Sequence, residues 1–201
     1  MKKSYLIFGA IAAVVLAVVF IFVVKPAMED RTVATTAVMT IDRQDLDVAF
    51  TYPSGEDAYT LIEPPVPAGE DSPIQGVFLM MPTPQYIDYQ NDKGSTPPSV
   101  SLFVLPQPED DGGEGGRITR LQRWAESNSQ FSSYAAITSE PEVVEVDGVK
   151  ALRYFTAGTY NQEVYLVQYS GRIYVFTGQY EEEEDSIRGM FVNFMQEVTF
   201  Y

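Results

Sequence analysis

Tyr5 to Val24 runs for twenty residues without a charged side chain, directly after Met1-Lys2-Lys3. As a helix rising about 1.5 Å per residue it is about 30 Å long, which matches a bilayer hydrocarbon core of about 30 Å. Fourteen of the twenty positions are Leu, Ile, Phe or Val. Each of these favours insertion by roughly 0.3–0.6 kcal/mol near the helix centre. A secretory signal peptide begins in the same way, but its apolar region spans about 7–15 residues and ends in a small-x-small cleavage site. This run instead leaves through Lys25-Pro26-Ala27. The expectation is an uncleaved transmembrane helix over residues 5–24, a signal-anchor. Lys2 and Lys3 lie before it, and Glu29 and Asp30 lie after it. The positive-inside bias then leaves residues 1–4 in the cytoplasm and places the rest of the chain outside the cell membrane.

Without residues 1–25 the chain keeps 10 basic against 28 acidic side chains, a formal charge of −18. Nucleic acid is excluded as a partner, because a phosphate backbone is bound by clustered Lys and Arg and repelled by such a surface. The chain has no Cys, so no disulfide stabilises an extracytoplasmic domain and a hydrophobic core must do so. It also has no His. That removes Ser-His-Asp and Cys-His triads, His-ligated zinc and the commonest general base.

Residues 25–40 lack steady periodicity and read as a linker or stalk, with one domain over 41–201. Leu46 to Pro53 alternates as a strand, and Ala58 to Ile62 is expected to pair back onto it. Gly76 to Met81 and Val100 to Leu105 are short apolar runs of the buried-strand type. Between them Pro82 to Pro98 is long and patternless. Ile118, Leu121, Trp124 and Ala125 share one face of a helix, with Trp124 set against a sheet. Asp147-Gly148 and Ser170-Gly171 supply the positive φ of tight hairpin turns, so residues 142–180 read as a four-strand antiparallel meander. Ile187, Met190, Phe191, Phe194, Met195 and Val198 then form the apolar stripe of a helix that covers a sheet face. The fold class is α+β: an antiparallel sheet flanked by helices.

The order of these landmarks resembles the PsbP/Mog1-like domain family. Phe50-Thr51-Tyr52-Pro53 is similar to the family's opening strand. Val146-Asp147-Gly148-Val149-Lys150-Ala151 is similar to its hairpin, and Ile173-Tyr174-Val175-Phe176 with Phe191, Phe194 and Phe200 is similar to its ending. The resemblance implies an α/β/α sandwich and a role in docking onto other proteins rather than catalysis. It brings no site residues. Ser54-Gly55-Glu56 stands where relatives often carry Trp after Tyr-Pro, and a His-free chain cannot hold the metals that some relatives are thought to bind through His.

Candidate chemistry is sparse. Glu109, Asp110, Asp111 and Glu114 place oxygen donors near glycines, as Ca²⁺ binding requires, but without the spacing of an EF-hand loop. Glu181 to Asp185 precedes the last helix, where acidic groups stabilise the N-terminal end. Two carboxylates facing each other would support a carboxylate-dependent hydrolase. Among the tyrosines, Tyr165, Tyr169, Tyr174 and Tyr180 are the expected interaction surface, since Tyr is favoured at interfaces. The leading expectation is a single-pass envelope protein, bound to the lipid bilayer through residues 5–24, whose non-enzymatic domain docks onto an envelope protein and needs no cofactor. Binding of a ligand or of a cation such as Ca²⁺ is the alternative, and hydrolysis the least favoured.

Overall fold

A computed structural model describes residues 36–66, 73–91, 95–108 and 115–201 of the protein. The apolar run 5–24 and the acidic run Glu109, Asp110, Asp111 and Glu114 lie outside the described residues. Among the described residues no helix is long and apolar enough to cross a membrane.

Two tight turns set the register of the C-terminal half. Asp147 and Gly148 (φ 48° and 71°) and Ser170 and Gly171 (φ 47° and 74°) take the left-handed conformations that two-residue hairpin turns demand. They join β6 (Glu142–Val146) to β7 (Val149–Ala157) and β8 (Asn161–Tyr169) to β9 (Arg172–Tyr180), giving the expected meander. The N-terminal half supplies β1 (Ala37–Arg43), β2 (Val48–Ser54), β3 (Tyr59–Ile62), β4 (Gly76–Pro82) and β5 (Val100–Pro106). A short β10 (Thr199–Phe200) returns alongside β2. All belong to one sheet in the order β1-β2-β3-β4-β5-β9-β8-β7-β6. The helices are α1 (Thr83–Gln90), α2 (Arg117–Ser127), α3 (Ser129–Ser132) and α4 (Ser186–Glu197).

Side chains alternate across the central strands, so each strand feeds two cores. Leu102, Val104, Val167, Tyr174 and Phe176 meet Ile187, Met190, Phe191, Phe194 and Met195 of α4 on one face. Phe50 sits edge-on to both Phe78 and Phe194, at 5.4 and 5.1 Å between ring centroids. On the other face Leu105, Leu152, Tyr154, Val164, Leu166, Ile173 and Val175 pack under Leu121, Trp124 and Ala125 of α2. Burial on both faces explains why Ile173 to Gly178 is buried without a break. Close helix–sheet contact needs Gly178: a Cβ there would lie 2.3 Å from Cδ1 of Phe191.

Four sequence expectations are corrected. Ala37 to Thr40, read as the end of the stalk, belong to β1, which pairs with β2 from Ala37↔Ser54 to Arg43↔Val48. Their side chains are exposed, so main-chain pairing decides the structure there rather than burial periodicity. The second strand starts at Val48 rather than Leu46, because a 3₁₀ turn over Gln44–Leu46 ends in Asp47 at φ 51°. Arg172 pairs with the Asp47 carboxylate and donates to the Asp45 carbonyl, and the Tyr174 hydroxyl donates to the Leu46 carbonyl at 2.8 Å. Strand β3 runs antiparallel to β4, and meets β2 only at a parallel Ser54↔Tyr59 contact. Finally, the patternless stretch after Pro82 holds α1, which starts with Pro in its first turn. Thr83 is its single buried residue, so no apolar stripe marked it.

Candidate functional site

Helix α2 is amphipathic because Leu121, Trp124 and Ala125 recur at core spacing, and it lies across the β7–β8 region of the sheet. Arg117, Arg120 and Arg123 recur every third residue and form a separate row beside that stripe. Strand β5 stops at Pro106, and the Gln107 amide donates to the Gly171 carbonyl at 2.9 Å, which holds Gln107 and Pro108 against the β8–β9 turn. Between α2, α3 and these strand ends opens a cleft of about 490 Å³. Leu105, Ile173, Leu121, Trp124 and half-buried Phe131 make its apolar floor and walls. Arg120, Arg123, Gln107, Asn128 and Gln168 bring polar groups to it.

The local geometry is well braced. Phe131 packs on Phe103 with centroids 6.0 Å apart. Asn128 caps α2 by donating from its side-chain amide to the Trp124 carbonyl at 2.9 Å. The buried Ser132 hydroxyl donates to the Ala125 carbonyl at 2.7 Å, and the Tyr154 hydroxyl donates to the Ser132 carbonyl at 2.8 Å. Burial pushes the Tyr154 phenol well above the ordinary tyrosine range, so it stays a neutral donor beneath α3. Arg120 donates to the Gly115 carbonyl at 3.2 Å from the start of α2.

A second polar constellation lies under α4. Glu163 is fully buried, and its Oε1 receives Arg153 at 2.8 Å and the Tyr165 hydroxyl at 2.9 Å. Arg188 of α4 approaches the other oxygen at 3.8 Å, outside hydrogen-bond range. Arg153 also lies over the Phe155 ring and Arg188 over Tyr180, at 4.9 and 5.1 Å. Burial and the adjacent Glu163 charge push the Tyr165 phenol above the ordinary range. Glu163 lines neither this cleft nor a second, about 620 Å³ groove between α4 and the β1–β2 edge, where Glu197 is the only acid among the described residues. Glu142 also meets Arg153, at 3.4 Å. The arrangement ties β7, β8 and α4 together.

The tyrosines expected to form an interaction surface are turned inward. Tyr174 and Tyr180 are buried. Tyr165 is half-buried against Phe191 and committed to Glu163, and Tyr169 is half-buried with its hydroxyl donating to the Tyr201 carbonyl at 2.7 Å. The pairing Tyr165↔Phe176 puts all four on the same face, and α4 and the C-terminal residues cover that face. Among the described residues no group of three or more Asp, Glu, His or Cys is placed to hold a metal ion. Sequence reasoning used α2 for its apolar stripe and passed over Arg120 and Arg123. The signal available was a row of arginines beside the only Trp in a strongly acidic chain.

An antiparallel sheet with helices on both faces, and a cleft between one helix and the strand ends, defines an α+β sandwich with the PsbP-like fold. The solution structure of cyanobacterial PsbP (CyanoP) from Synechocystis sp. PCC 6803 matches it with a TM-score of 0.52 at 13% sequence identity, over 85% of this chain and 96% of that one. No protein-family model and no curated protein sequence matches the chain.

Proposed function

We propose that this chain is a membrane-tethered docking protein. Residues 5–24 hold it in the bilayer with residues 1–4 in the cytoplasm, and its PsbP-like sandwich binds an envelope protein outside without catalysing a reaction. The cleft between α2 and the β5–β9 end of the sheet supports this reading. It joins an apolar floor to arginines on a chain of net charge −15, and concave apolar sites with a few convergent polar groups are the usual form of a binding site. The fold itself carries no activity over to this chain.

In-cell photocrosslinking of the full chain tests the reading. A benzophenone amino acid replaces Gln107 at the cleft, and in a control it replaces Glu145 on the edge strand β6, which does not line the cleft. The expected result is a near-stoichiometric adduct with one envelope protein from position 107 and none from position 145. Adducts with the chain itself alone, or the same diffuse mixture from both positions, would overturn it.

A further inference from the structure

We propose that β1 is the docking edge for a second copy of this chain, the two β1 strands pairing antiparallel about a two-fold axis at Thr40. The inference goes beyond the docking reading and does not use the α2 cleft. Among the described residues β1 has a single strand neighbour, β2, and ends the sheet. Its outer edge presents main-chain N–H and C=O groups as a template for a further strand. Ala37 to Thr40 are exposed, Val38 to 72% and Met39 to 46%. Sheets guard such an edge with charge, Pro or a bulge. The opposite edge, β6, is short and carries Glu142 and Glu145 among its five residues. By contrast, Ala37 to Ile41 holds no charged residue and no Pro. Its register with β2 is unbroken from Ala37 to Arg43, so no bulge turns it away.

Self-complementarity selects the occupant. An axis at Thr40 pairs every residue of the strand: Ala37 opposite Arg43, Val38 opposite Asp42, Met39 opposite Ile41 and Thr40 opposite itself. Met39 and Ile41 share the face of Tyr52 and Phe50, their β2 partners in the core under α4. Each of the two Met39–Ile41 contacts therefore carries that apolar surface across the axis. Thr40 meets Thr40 on the other face, a favourable cross-strand pair. Charge fits the same register. Asp42 faces an uncharged Val38, and the two Asp42 side chains lie four residues apart along the strands, about 13 Å. That exceeds the screening length of about 10 Å at about 0.1 M salt. An axis at Ile41 would bring the two Asp42 within about 7 Å along the strands and leave Ala37 and Val38 unpaired. A two-fold pairing also uses both β1 edges and closes, so no third copy can add there.

The chain has no Cys, so one introduced thiol reports one contact. Directly opposite residues of an antiparallel pair have Cα atoms about 4.5–5.5 Å apart, within the span a disulfide bridges. Full chains carrying Thr40→Cys, or Val143→Cys at a 58% exposed position of β6, are oxidised in native membranes with copper phenanthroline. The expected result is a covalent dimer from Thr40→Cys and little from Val143→Cys. In dodecylmaltoside the unaltered full chain should sediment as two copies. Thr40→Lys, which sets like charges opposite each other, should sediment as one. Mixing Thr40→Lys with Thr40→Glu should restore the two-copy species, and thermal melts confirm that each variant folds. A full chain that sediments as one copy, a dimer that survives Thr40→Lys, or equal crosslinking from positions 40 and 143 would overturn the inference. Each of these results bears on β1 and leaves the envelope-protein adduct expected from position 107 standing.

Discussion

Glu163 is a fully buried carboxylate that Arg153 and Tyr165 hold in the interior. A buried carboxylate survives only when its charge is paired and hydrogen-bonded, and here Arg153 and Tyr165 converge on one oxygen. Removing it leaves Arg153 and Arg188 facing each other beneath α4 with no anion between them. Glu163→Ala is therefore expected to cost about 3–5 kcal/mol in urea unfolding, and Arg188→Gln much less, since Arg188 stands 3.8 Å from the carboxylate. Tyrosines give the same interior a pH limit. Burial pushes the Tyr174 phenol up to about 12, and raises Tyr154 and Tyr165 as well. An unfolded tyrosine loses its proton near pH 10. Between about pH 10 and 12 the unfolded state thus binds fewer protons than the folded one, so stability falls as pH rises. Alkaline unfolding followed by tyrosinate absorbance at 295 nm checks this. Tyr174→Phe should flatten the slope above about pH 10, because one raised phenol is gone.

At the scale of elements, α4 and α2 show different degrees of legibility. Both helices announce themselves in the sequence, because apolar residues at three- and four-residue spacing leave few other ways to bury them. Their seating is less visible. Gly178 lies opposite Glu163 on β8 and Val100 on β5, and its lack of a side chain lets Phe191 reach the sheet. Gly178→Ala is expected to lose about 1–3 kcal/mol of stability through overpacking, with a drop in melting temperature as the readout. Gly189 of α4 has open space around its Cα, so Gly189→Ala should not lower the melting temperature. Helix α1 escaped the sequence reading because a short helix with one buried residue writes no stripe. The arginine row of α2 was present in the sequence, but its meaning depends on which strand ends lie beside it.

For the whole molecule, the acidity of the chain and the proposed tether set the expectations. The anchor proposed for residues 5–24 predicts that the full chain stays with membranes after an alkaline carbonate wash. A chain lacking residues 1–25 should appear in the soluble fraction. Recovery of the full chain in the carbonate supernatant would remove the tether from the proposed function. With a net charge of −15, the molecule repels anionic surfaces over most of its area.

What the sequence determined by itself was whatever repeats along the chain: the uncharged twenty-residue run, the two helix stripes, the alternating strands, and the Asp-Gly and Ser-Gly turns whose positive φ dictates hairpin register. These are local periodicities, and local sterics and solvent transfer read them directly. Tertiary structure alone decided what depends on distant segments meeting. It added β1 to the sheet through main-chain pairing with β2 and set β3 against β4. It turned Tyr174 and Tyr180 inward by laying α4 over their face, and brought Arg120 and Arg123 beside Leu105 and Ile173. No periodicity records which face a second element will cover, because that choice comes from packing the whole chain at once.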